Sequence, residues 1–328
     1  MKKKKHISDI LFFAAAAVLV LVLLYSGLRI AESTVLRKRT EPVAPVKTKT
    51  IVRDDVAYFP RQDITVVMVL GIDQYGKVED SETYNNHGAA DVVMLLVFDE
   101  TNEVCNVLHL NRDTMLEMPV LGLGGKKAGT RFGQLALAHT YGSGLADSCE
   151  NTRQTVSDFL YGIQIDYYMA MRMDAIALIN DAVDGVTVEV TEDFSQVDPS
   201  IGMGRVTLMG DQAISFVRSR RGVGDQLNVS RIRRQQAYID GFTEAFHAKR
   251  EAEPDFILSA YNSVADYIVT DCSANAISGM VDRFGDFRIG EVVSPEGENR
   301  AGKEYMEFYV DEQALDELIL RLFYAPKQ

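Results

Sequence analysis

The stretch at residues 91–114, DVVMLLVFDETNEVCNVLHLNRDT, contains two apolar runs, 91–99 and 104–110, separated by the polar link ETNE. Runs bounded in this way predict an antiparallel hairpin. Their apolar residues are nearly continuous, which is typical of strands that are covered on both faces. In such a hairpin the start of one strand lies beside the end of the other, so Asp91 and Arg112 are expected to be neighbours.

A third apolar run, DITVVMVLGID at 63–73, predicts a further strand that ends at Asp73. Helix and strand patterns alternate after the hairpin, with Ser148 or Asn151 as candidate caps of one helix. We predict helices over 134–142, 148–162, 174–183 and 229–250, a helix opening near Asp211, strands over 165–173 and 185–190, and at least two helices within 255–328. This alternation predicts an α/β fold, a three-layer α/β/α sandwich with a central mixed sheet.

Composition excludes several classes of protein. The 328 residues are 47% hydrophobic, enough for one large core or two modest ones. Residues 31–328 hold 29 basic and 46 acidic side chains, a net charge of −17, so no nucleic-acid partner is expected. Cys105, Cys149 and Cys272 are too few and too scattered for a disulfide framework or a zinc site. They favour three unpaired buried thiols over one bridge with a spare thiol.

A basic end followed by an apolar run marks the N-terminus. Four lysines at 2–5 precede Ile10–Leu28, 19 residues that at about 1.5 Å each just cross a hydrocarbon core of about 30 Å. We predict a cytoplasmic basic tail (1–9), one transmembrane helix in the lipid bilayer (10–30) and an extracytoplasmic linker (31–62), because flanking lysines stay inside. A cleaved signal peptide is the alternative, but the run is longer than the usual 7–15 or so residues and lacks an A-x-A-like site.

Charged residues stand at the ends of all three predicted strands. Asp73 closes the first strand, Asp91 opens the second, and Arg112 and Asp113 follow the third. Two carboxylates beside an arginine suit Mg²⁺, or Mn²⁺, holding a phosphate, because this cation takes one or two carboxylates plus phosphate oxygens and arginine binds the remainder. The plainer interpretations are turn-forming aspartates and a structural Arg-Asp salt bridge.

The segment FVRSRRGVGDQLNVSRIRRQQ, residues 216–236, concentrates arginines in an acidic body. Arg218 and Arg220 are two apart and cannot share a helix face, so the helix is predicted to end there. Arg231 and Arg234 share a face near the N-terminus of the next helix, where free N–H groups add anion affinity. A solvated basic face accounts for Arg221 and Arg233 alone, so the cluster as a whole predicts a pyrophosphate-bearing ligand.

The order of these motifs resembles the LytR-CpsA-Psr family of bacterial envelope proteins. The match spans roughly 63–247 and comprises LGID, ADVVMLLVFD, NRDTM, AHTYG, GIQIDYYMAM, AVDGVTVEV and FVRSRRGVGD…SRIRRQQ, after the N-terminal anchor. The resemblance implies a catalytic domain (63–250) outside the cell membrane of a Gram-positive-type envelope, with a C-terminal extension (251–328) packed on it. It implies an Mg²⁺-dependent phosphotransferase that moves a teichoic acid or capsule-like glycopolymer from an undecaprenyl-pyrophosphate carrier onto peptidoglycan.

Carried over residue by residue, the resemblance makes Asp73 and Asp91 the magnesium ligands. Substrate contacts are expected from Arg112, Arg218, Arg220, Asp225, Arg231, Arg234 and Gln235. Catalysis is expected to depend on Asp91, Arg112, Asp113 and Arg220, with Asp91 or Asp113 as the proton acceptor. The polyprenyl chain is expected in an apolar tunnel between the sheet and the helices.

The chain also departs from the family pattern. Ala89 replaces a family arginine, Asn111 replaces a proline, a Lys-Ile-Asn segment is lost near 134–136, and three extra residues separate Asp225 from Arg231. Lys126, Lys127 and Arg131 are candidates to restore the lost positive charge. Two alternative functions stay open, a polyprenyl-pyrophosphate hydrolase and a non-catalytic polyprenyl-phosphate or wall-binding protein. A transcriptional role is disfavoured, because only nine residues precede the predicted anchor.

Overall fold

The computed structural model describes residues 50–53, 55–81, 85–122, 125–219, 222–223, 228–285, 287–303 and 305–326. The strands are β1 (Ile51–Arg53), β2 (Val56–Pro60), β3 (Ile64–Ile72), β4 (Ala90–Asp99), β5 (Val104–Leu110), β6 (Met115–Leu121), β7 (Lys127–Gln134), β8 (Tyr167–Arg172), β9 (Val186–Val190), β10 (Gly204–Leu208), β11 (Ile268–Thr270), β12 (Arg288–Val293), β13 (Gly297–Ala301), β14 (Met306–Val310) and β15 (Tyr324–Pro326). The α-helices are α1 (Ala146–Phe159), α2 (Asp174–Ala182), α3 (Asp211–Arg218), α4 (Asn228–Ala252), α5 (Phe256–Val264), α6 (Ala274–Phe284) and α7 (Glu312–Phe323). Two 3₁₀ helices cover Leu135–Thr140 and Ala265–Tyr267.

The hairpin predicted from residues 91–114 is confirmed. β4 and β5 pair antiparallel from Val93↔Leu110 to Asp99↔Val104. Residues 92–99 of β4 are all buried, as expected for a strand between two covering layers. β3 pairs antiparallel with the other side of β4, so β4 lies in the middle of the sheet.

The central sheet is mixed, as predicted. Its strand order is β11-β8-β3-β4-β5-β12, with β3–β8 and β5–β12 parallel and the other neighbours antiparallel. Helices α2 to α6 pack on one face, and α1, α7 and the first 3₁₀ helix pack on the other. The α/β fold with helical layers on both faces of the sheet is therefore confirmed.

The long helix α4 is held against β9 by close backbone packing. A Cβ at Gly241 would lie 2.4 Å from the Thr187 carbonyl oxygen, so only glycine permits this approach. Phe242 and Phe246 are fully buried and stack with 6.1 Å between ring centroids. Each such phenylalanine contributes roughly 2 kcal/mol by leaving water. This packing fixes the helix whose first turns carry Arg231 and Arg234.

The tail beyond residue 250 is part of the sheet. Both edge strands come from it, with β11 pairing with β8 and β12 pairing with β5. The tail also contains α6, which the sequence patterns did not predict. Residues 251–328 are therefore joined to the preceding part of the chain through the central sheet itself.

The end of the predicted linker is ordered. β1 and β2 form a three-stranded sheet with β15, and the Arg61 N–H donates to the Phe323 carbonyl (2.9 Å). Residues 51–60 of the predicted linker (31–62) therefore belong to the folded body. These residues pair with the end of the chain, a long-range contact that local composition does not reveal.

Two helix predictions need correction. The pattern at 134–142 gives a 3₁₀ helix at Leu135–Thr140, and the predicted helix 148–162 begins earlier, at Ala146, without a side-chain cap. Ser148 and Asn151 are used elsewhere, because Ser148 accepts from Asn86 (3.1 Å) and Asn151 donates to the Ala138 carbonyl (2.8 Å).

The three cysteines are unpaired and buried, as the sequence favoured. The predicted tail and transmembrane helix (1–30) lie outside the described residues. Within the described ranges, no helix has the length and hydrophobicity needed to cross a bilayer.

A buried ion pair lies at the C-terminal end of β4, whereas Asp91 lies near its N-terminal end. Asp99, 3% exposed, accepts from Arg61 Nη1 (2.8 Å) and from Asn102 N and Nδ2 (3.0 and 2.8 Å). Arg61 also binds Asp63 with two nitrogens (3.0 and 2.7 Å). Burial alone would raise the pKa of Asp99, but the bonds from Arg61 and Asn102 lower it overall.

Replacing Arg61 is expected to destabilise the fold. Arg61→Ala leaves Asp99 buried without its guanidinium, and it should lower the free energy of unfolding by about 3 kcal/mol. Arg53→Ala is the control, because Arg53 makes a loose pair with Glu317 (3.6 Å), and it should change stability by less than about 1 kcal/mol. Urea denaturation measures both, and equal small losses would contradict the structural role of Arg61.

Candidate active site

The hairpin ladder places Asp91 opposite Arg112. Continuing the β4–β5 register outward from Val93↔Leu110 by two residues pairs these side chains. Arg112 Nη1 donates directly to Asp91 Oδ1, and the two side chains are 39% and 34% exposed. The predicted neighbours are therefore in contact. They lie at the end of the sheet where β4 begins and β5 ends, called the charged edge below, which is partly open to solvent.

Asp73 reaches the same edge from β3. Its N–H donates to the Ala89 carbonyl (3.0 Å). The β3–β4 register shifts, since Gly71 pairs with Val92 while Ile72 pairs with Ala90. Asp91 is thus the extra residue of a β-bulge, a feature that redirects a side chain.

The charges of three other predicted residues act on Asp91 here. Burial raises the pKa of Asp91, the Arg112 charge lowers it, and the Asp73 charge raises it. The Arg112 hydrogen bond and the charge of Arg218 lower it further, and the net pKa is raised. Asp73, Arg112 and Arg218 therefore all lie within electrostatic range of Asp91, and Arg112 is in contact with it.

Arg218 is presented by the end of α3. It is the last residue of that helix and is exposed, and the chain continues in an extended conformation at Ser219. Arg218 Nη1 lies 3.2 Å from the Tyr75 hydroxyl, and Tyr75 is 61% exposed. The predicted helix end is confirmed, while Tyr75 is a site residue that sequence reasoning missed.

The loop after Asp73 is held by hydrogen bonds to residues of α2 and β8. The Gly76 N–H donates to Asp174 Oδ2 (2.7 Å), and Arg172 Nη1 donates to the Lys77 carbonyl (2.5 Å). Arg172 ends a strand that runs parallel to β3, with Ile72 as its partner. Charge at a strand end is the signal that singled out Arg112, and it would also have found Arg172.

Asp113 is held by the base of the β6–β7 ribbon. Gln134 Nε2 donates to Asp113 Oδ1 (2.8 Å), and Arg112 Nε lies 3.6 Å from the same oxygen. Arg112 Nε is buried and makes no hydrogen bond within the described part of the chain. The Ala136 N–H then donates to the Arg112 carbonyl (3.0 Å), so the first 3₁₀ helix supports the Arg112–Asp113 turn.

The same 3₁₀ helix supports the segment that leads to Asp91. His139 Nδ1 lies 2.8 Å from the Gly88 carbonyl, and Asn86 Nδ2 donates to the His139 carbonyl (2.8 Å). Both side chains are buried. Burial lowers the pKa of His139 to about 4. One short helix therefore positions both halves of the Asp91–Arg112 pair, through residues that the sequence did not single out.

Arg234 was predicted to contact the substrate, but its side chain is bound inside the protein. Its side chain is 5% exposed, pairs with Glu192, and donates to the carbonyls of Phe216 (3.0 Å) and Ser219. These contacts tie α4 to the end of α3. The structure thus corrects the substrate-binding assignment, because the guanidinium is occupied inside the protein.

Four other predicted residues cannot be placed as side chains. Arg220 and Asp225 lie outside the described residues. Arg231 and Gln235 lie on the backbone of α4, but their side chains are outside what the structure describes.

The carboxylates at this edge could hold a divalent cation with help from a ligand. Among the described residues, no group of three or more His, Cys, Asp or Glu side chains is arranged as a metal site. Two carboxylates beside arginines nonetheless fit Mg²⁺, which takes much of its coordination from phosphate oxygens and water.

Comparison with known proteins bears on this site. A family model described as the LytR_cpsA_psr family matches residues 27–322. This chain belongs to that family. The matched range includes the edge strands from the tail, in agreement with the sheet.

Curated relatives within the family carry a transferase name. Polyisoprenyl-teichoic acid–peptidoglycan teichoic acid transferase TagU of Bacillus anthracis is 28% identical over 155 residues, 47% of this chain and 44% of that protein. The protein of the same name from Halalkalibacterium halodurans is 30% identical over 169 residues, 51% and 49% of the two chains. The chain spans about half the length of the curated relatives it matches.

Solved structures share the fold. The protein gbs0355 from Streptococcus agalactiae superposes with a TM-score of 0.60 at 19% identity, over 79% of this chain and 86% of that one. TagT bound to LI-WTA gives a TM-score of 0.54 at 20% identity, over 80% and 90%. These likenesses support the family fold.

The burial of His139 in the first 3₁₀ helix predicts how the stability of the protein depends on pH. In the folded protein His139 stays neutral down to about pH 4. In the unfolded chain the same side chain gains a proton near pH 6.5. The free energy of unfolding therefore falls as the pH drops from about 6.5 to about 4. The largest loss is about 3 kcal/mol. In His139→Asn, the fall in unfolding free energy between pH 7.5 and 4.5 should be smaller by about 2.5 kcal/mol.

His87→Asn is the matched control, because the His87 side chain is exposed. It should leave the pH dependence of unfolding close to that of the unmodified protein. An unchanged pH dependence in His139→Asn would contradict a neutral, buried His139.

Proposed function

We propose that the protein is an extracytoplasmic transferase that moves a teichoic acid or related glycopolymer from a polyprenyl-pyrophosphate carrier to peptidoglycan. The observation that carries the proposal is the meeting of Asp73, Asp91, Arg112 and Arg218 at one sheet edge. Acids and guanidiniums in one place are the groups that bind a metal-bound diphosphate. The transferase names of the relatives support the same conclusion.

Asp73 and Asp91 are the groups that would hold Mg²⁺ or Mn²⁺. When bound, the ion supplies positive charge that neutralises pyrophosphate oxygens during transfer. Arg112 and Arg218 hold the remaining oxygens, with Arg220 and Arg231 as further candidates from the arginine segment. Catalysis is then mostly positioning and electrostatic stabilisation.

The reaction exchanges one P–O bond for another. The acceptor hydroxyl oxygen of peptidoglycan attacks the phosphorus that carries the glycopolymer, and the bridging P–O bond of the pyrophosphate breaks. The lipid leaves as polyprenyl phosphate. Because Asp91 is already assigned to the ion, Asp113 is the carboxylate left to take the hydroxyl proton, and Gln134 holds it in place (2.8 Å).

The location of the enzyme follows from its N-terminal sequence. Residues 1–9 would stay in the cytoplasm, 10–30 would anchor the chain in the membrane, and the folded body would work outside the cell. An anchored body keeps the site near a carrier lipid that never leaves the bilayer. The apolar tunnel for the polyprenyl chain stays a prediction.

A transfer assay tests the function. The purified full-length protein is given a polyprenyl-pyrophosphate-linked glycopolymer and a peptidoglycan fragment with Mg²⁺. We expect polymer on the fragment together with free polyprenyl phosphate. Released polymer that is not joined to the fragment would identify a hydrolase. Bound lipid without any product would identify a binding protein.

Loss of an arginine should abolish transfer without unfolding the protein. Arg112→Ala and Arg220→Ala are expected to lower kcat/KM by about 1,000-fold or more, because each removes charge that stabilises the transition state. Thermal unfolding should change little for Arg112→Ala, because this side chain is 39% exposed. Arg288→Ala on β12 is the control, and full activity in Arg112→Ala would contradict the proposal.

A further inference from the structure

The β6–β7 ribbon packs on the rest of the fold through β6 and leaves β7 open. Among the described strands, β6 and β7 pair only with each other. Every residue from Lys127 to Phe132 is exposed. β7 therefore presents both faces of a strand, and an unpaired row of backbone N–H and C=O groups, to its surroundings.

The ribbon begins at the site. Met115 and Gln134 form the first pair of its ladder, and Gln134 binds Asp113 (2.8 Å). From this base the ribbon extends over about seven residue pairs, roughly 20 Å at strand spacing. A polymer joined to a pyrophosphate at the site could follow the ribbon outward.

The ribbon is basic in an acidic protein. Residues 115–134 contain three basic side chains, Lys126, Lys127 and Arg131, against one acidic side chain, Glu117. All three cations are exposed. None makes an ion pair or a side-chain hydrogen bond with the described residues, whereas cations such as Arg61, Arg153 and Arg283 are paired. Three exposed cations that have no partner among the described residues, on a body of net charge −17, form a local site of attraction for an anionic ligand.

An exposed aromatic ring lies on the same strand. Phe132 is 54% exposed and lies near the base, two residues before Gln134. The register pairs Phe132 with Glu117 and Lys127 with Leu121, so the Phe132 ring and the Lys127 ammonium share one face. A flat ring suits the apolar face of a sugar, and the Lys127 ammonium suits a phosphate along the same chain.

We propose that the β6–β7 ribbon binds the phosphate-bearing repeats of the donor glycopolymer as the chain leaves the site. The inference rests on the proposed function and specifies its substrate as a polyanion.

A membrane is the less fitting partner. Val120 and Leu121, described apolar residues toward the turn, are only partly exposed, and the exposed ring lies at the base of the ribbon.

Direct binding tests the inference without requiring turnover. The probe is a soluble poly(glycerol phosphate) oligomer, titrated against the full-length protein in detergent by calorimetry. Lys127→Ala/Arg131→Ala should bind the oligomer about tenfold more weakly and with a smaller dependence on salt, because fewer counterions are exchanged. Arg205→Ala/Arg288→Ala is matched in charge and uses two exposed arginines on β10 and β12, so it should bind like the unmodified protein.

Any of three results would overturn the inference. The first is equal affinity for the oligomer in the ribbon variant and the unmodified protein. The second is unchanged oligomer binding together with lost binding to phosphatidylglycerol vesicles, which would assign the ribbon to the membrane. Equal weakening of oligomer binding in both double variants would show that the effect depends on net charge alone, and this result would also overturn the inference.

A comparison of donors separates this inference from the proposed function. The ribbon variant should raise KM about tenfold for a donor with phosphate repeats, and it should raise KM much less for a short phosphate-free donor. No transfer by the unmodified protein with either donor would sink the proposed function, while the oligomer titration would still decide the role of the ribbon.

Discussion

The contact between Asp91 and Arg112 is the constraint on which the site depends. β4 carries a carboxylate at each end, and the two ends are treated differently. Asp99 is buried and closed by Arg61 and Asn102, whereas Asp91 sits in a bulge and is half exposed beside Arg112. A half-exposed pair contributes at most about 1 kcal/mol to folding, so ligand chemistry explains its position better than stability does.

The site is supported by groups that do not face the ligand. The 3₁₀ helix Leu135–Thr140 binds the Arg112 carbonyl on one side and the Gly88 carbonyl on the other. Because His139 is buried and neutral, it holds the segment leading to Asp91 without adding charge. Arg234 ties α4 to the end of α3, and this fixes the helix terminus from which Arg218 projects. The charged edge is therefore set by packing beneath it.

Much of this arrangement could be predicted from the sequence, and the reasons are physical. Apolar runs around a short polar link specify the hairpin, and a ladder of fixed register then carries Asp91 to Arg112. The edge strands β11 and β12 could not be predicted, because they are short, partly exposed and paired with residues more than 90 positions away. Arg234 was misassigned because its position on a helix face does not reveal an internal partner such as Glu192. Tyr75 and His139 act through contacts that only the folded chain creates.

The central claim is that one sheet edge receives a metal-bound pyrophosphate. The most direct measurement is a crystal structure of the full-length protein with a polyprenyl pyrophosphate and Mn²⁺, located by its anomalous signal. The account predicts Mn²⁺ on the carboxylates of Asp73 and Asp91, with pyrophosphate oxygens on Arg112 and Arg218. A pyrophosphate bound elsewhere, touching none of these four residues, would contradict it.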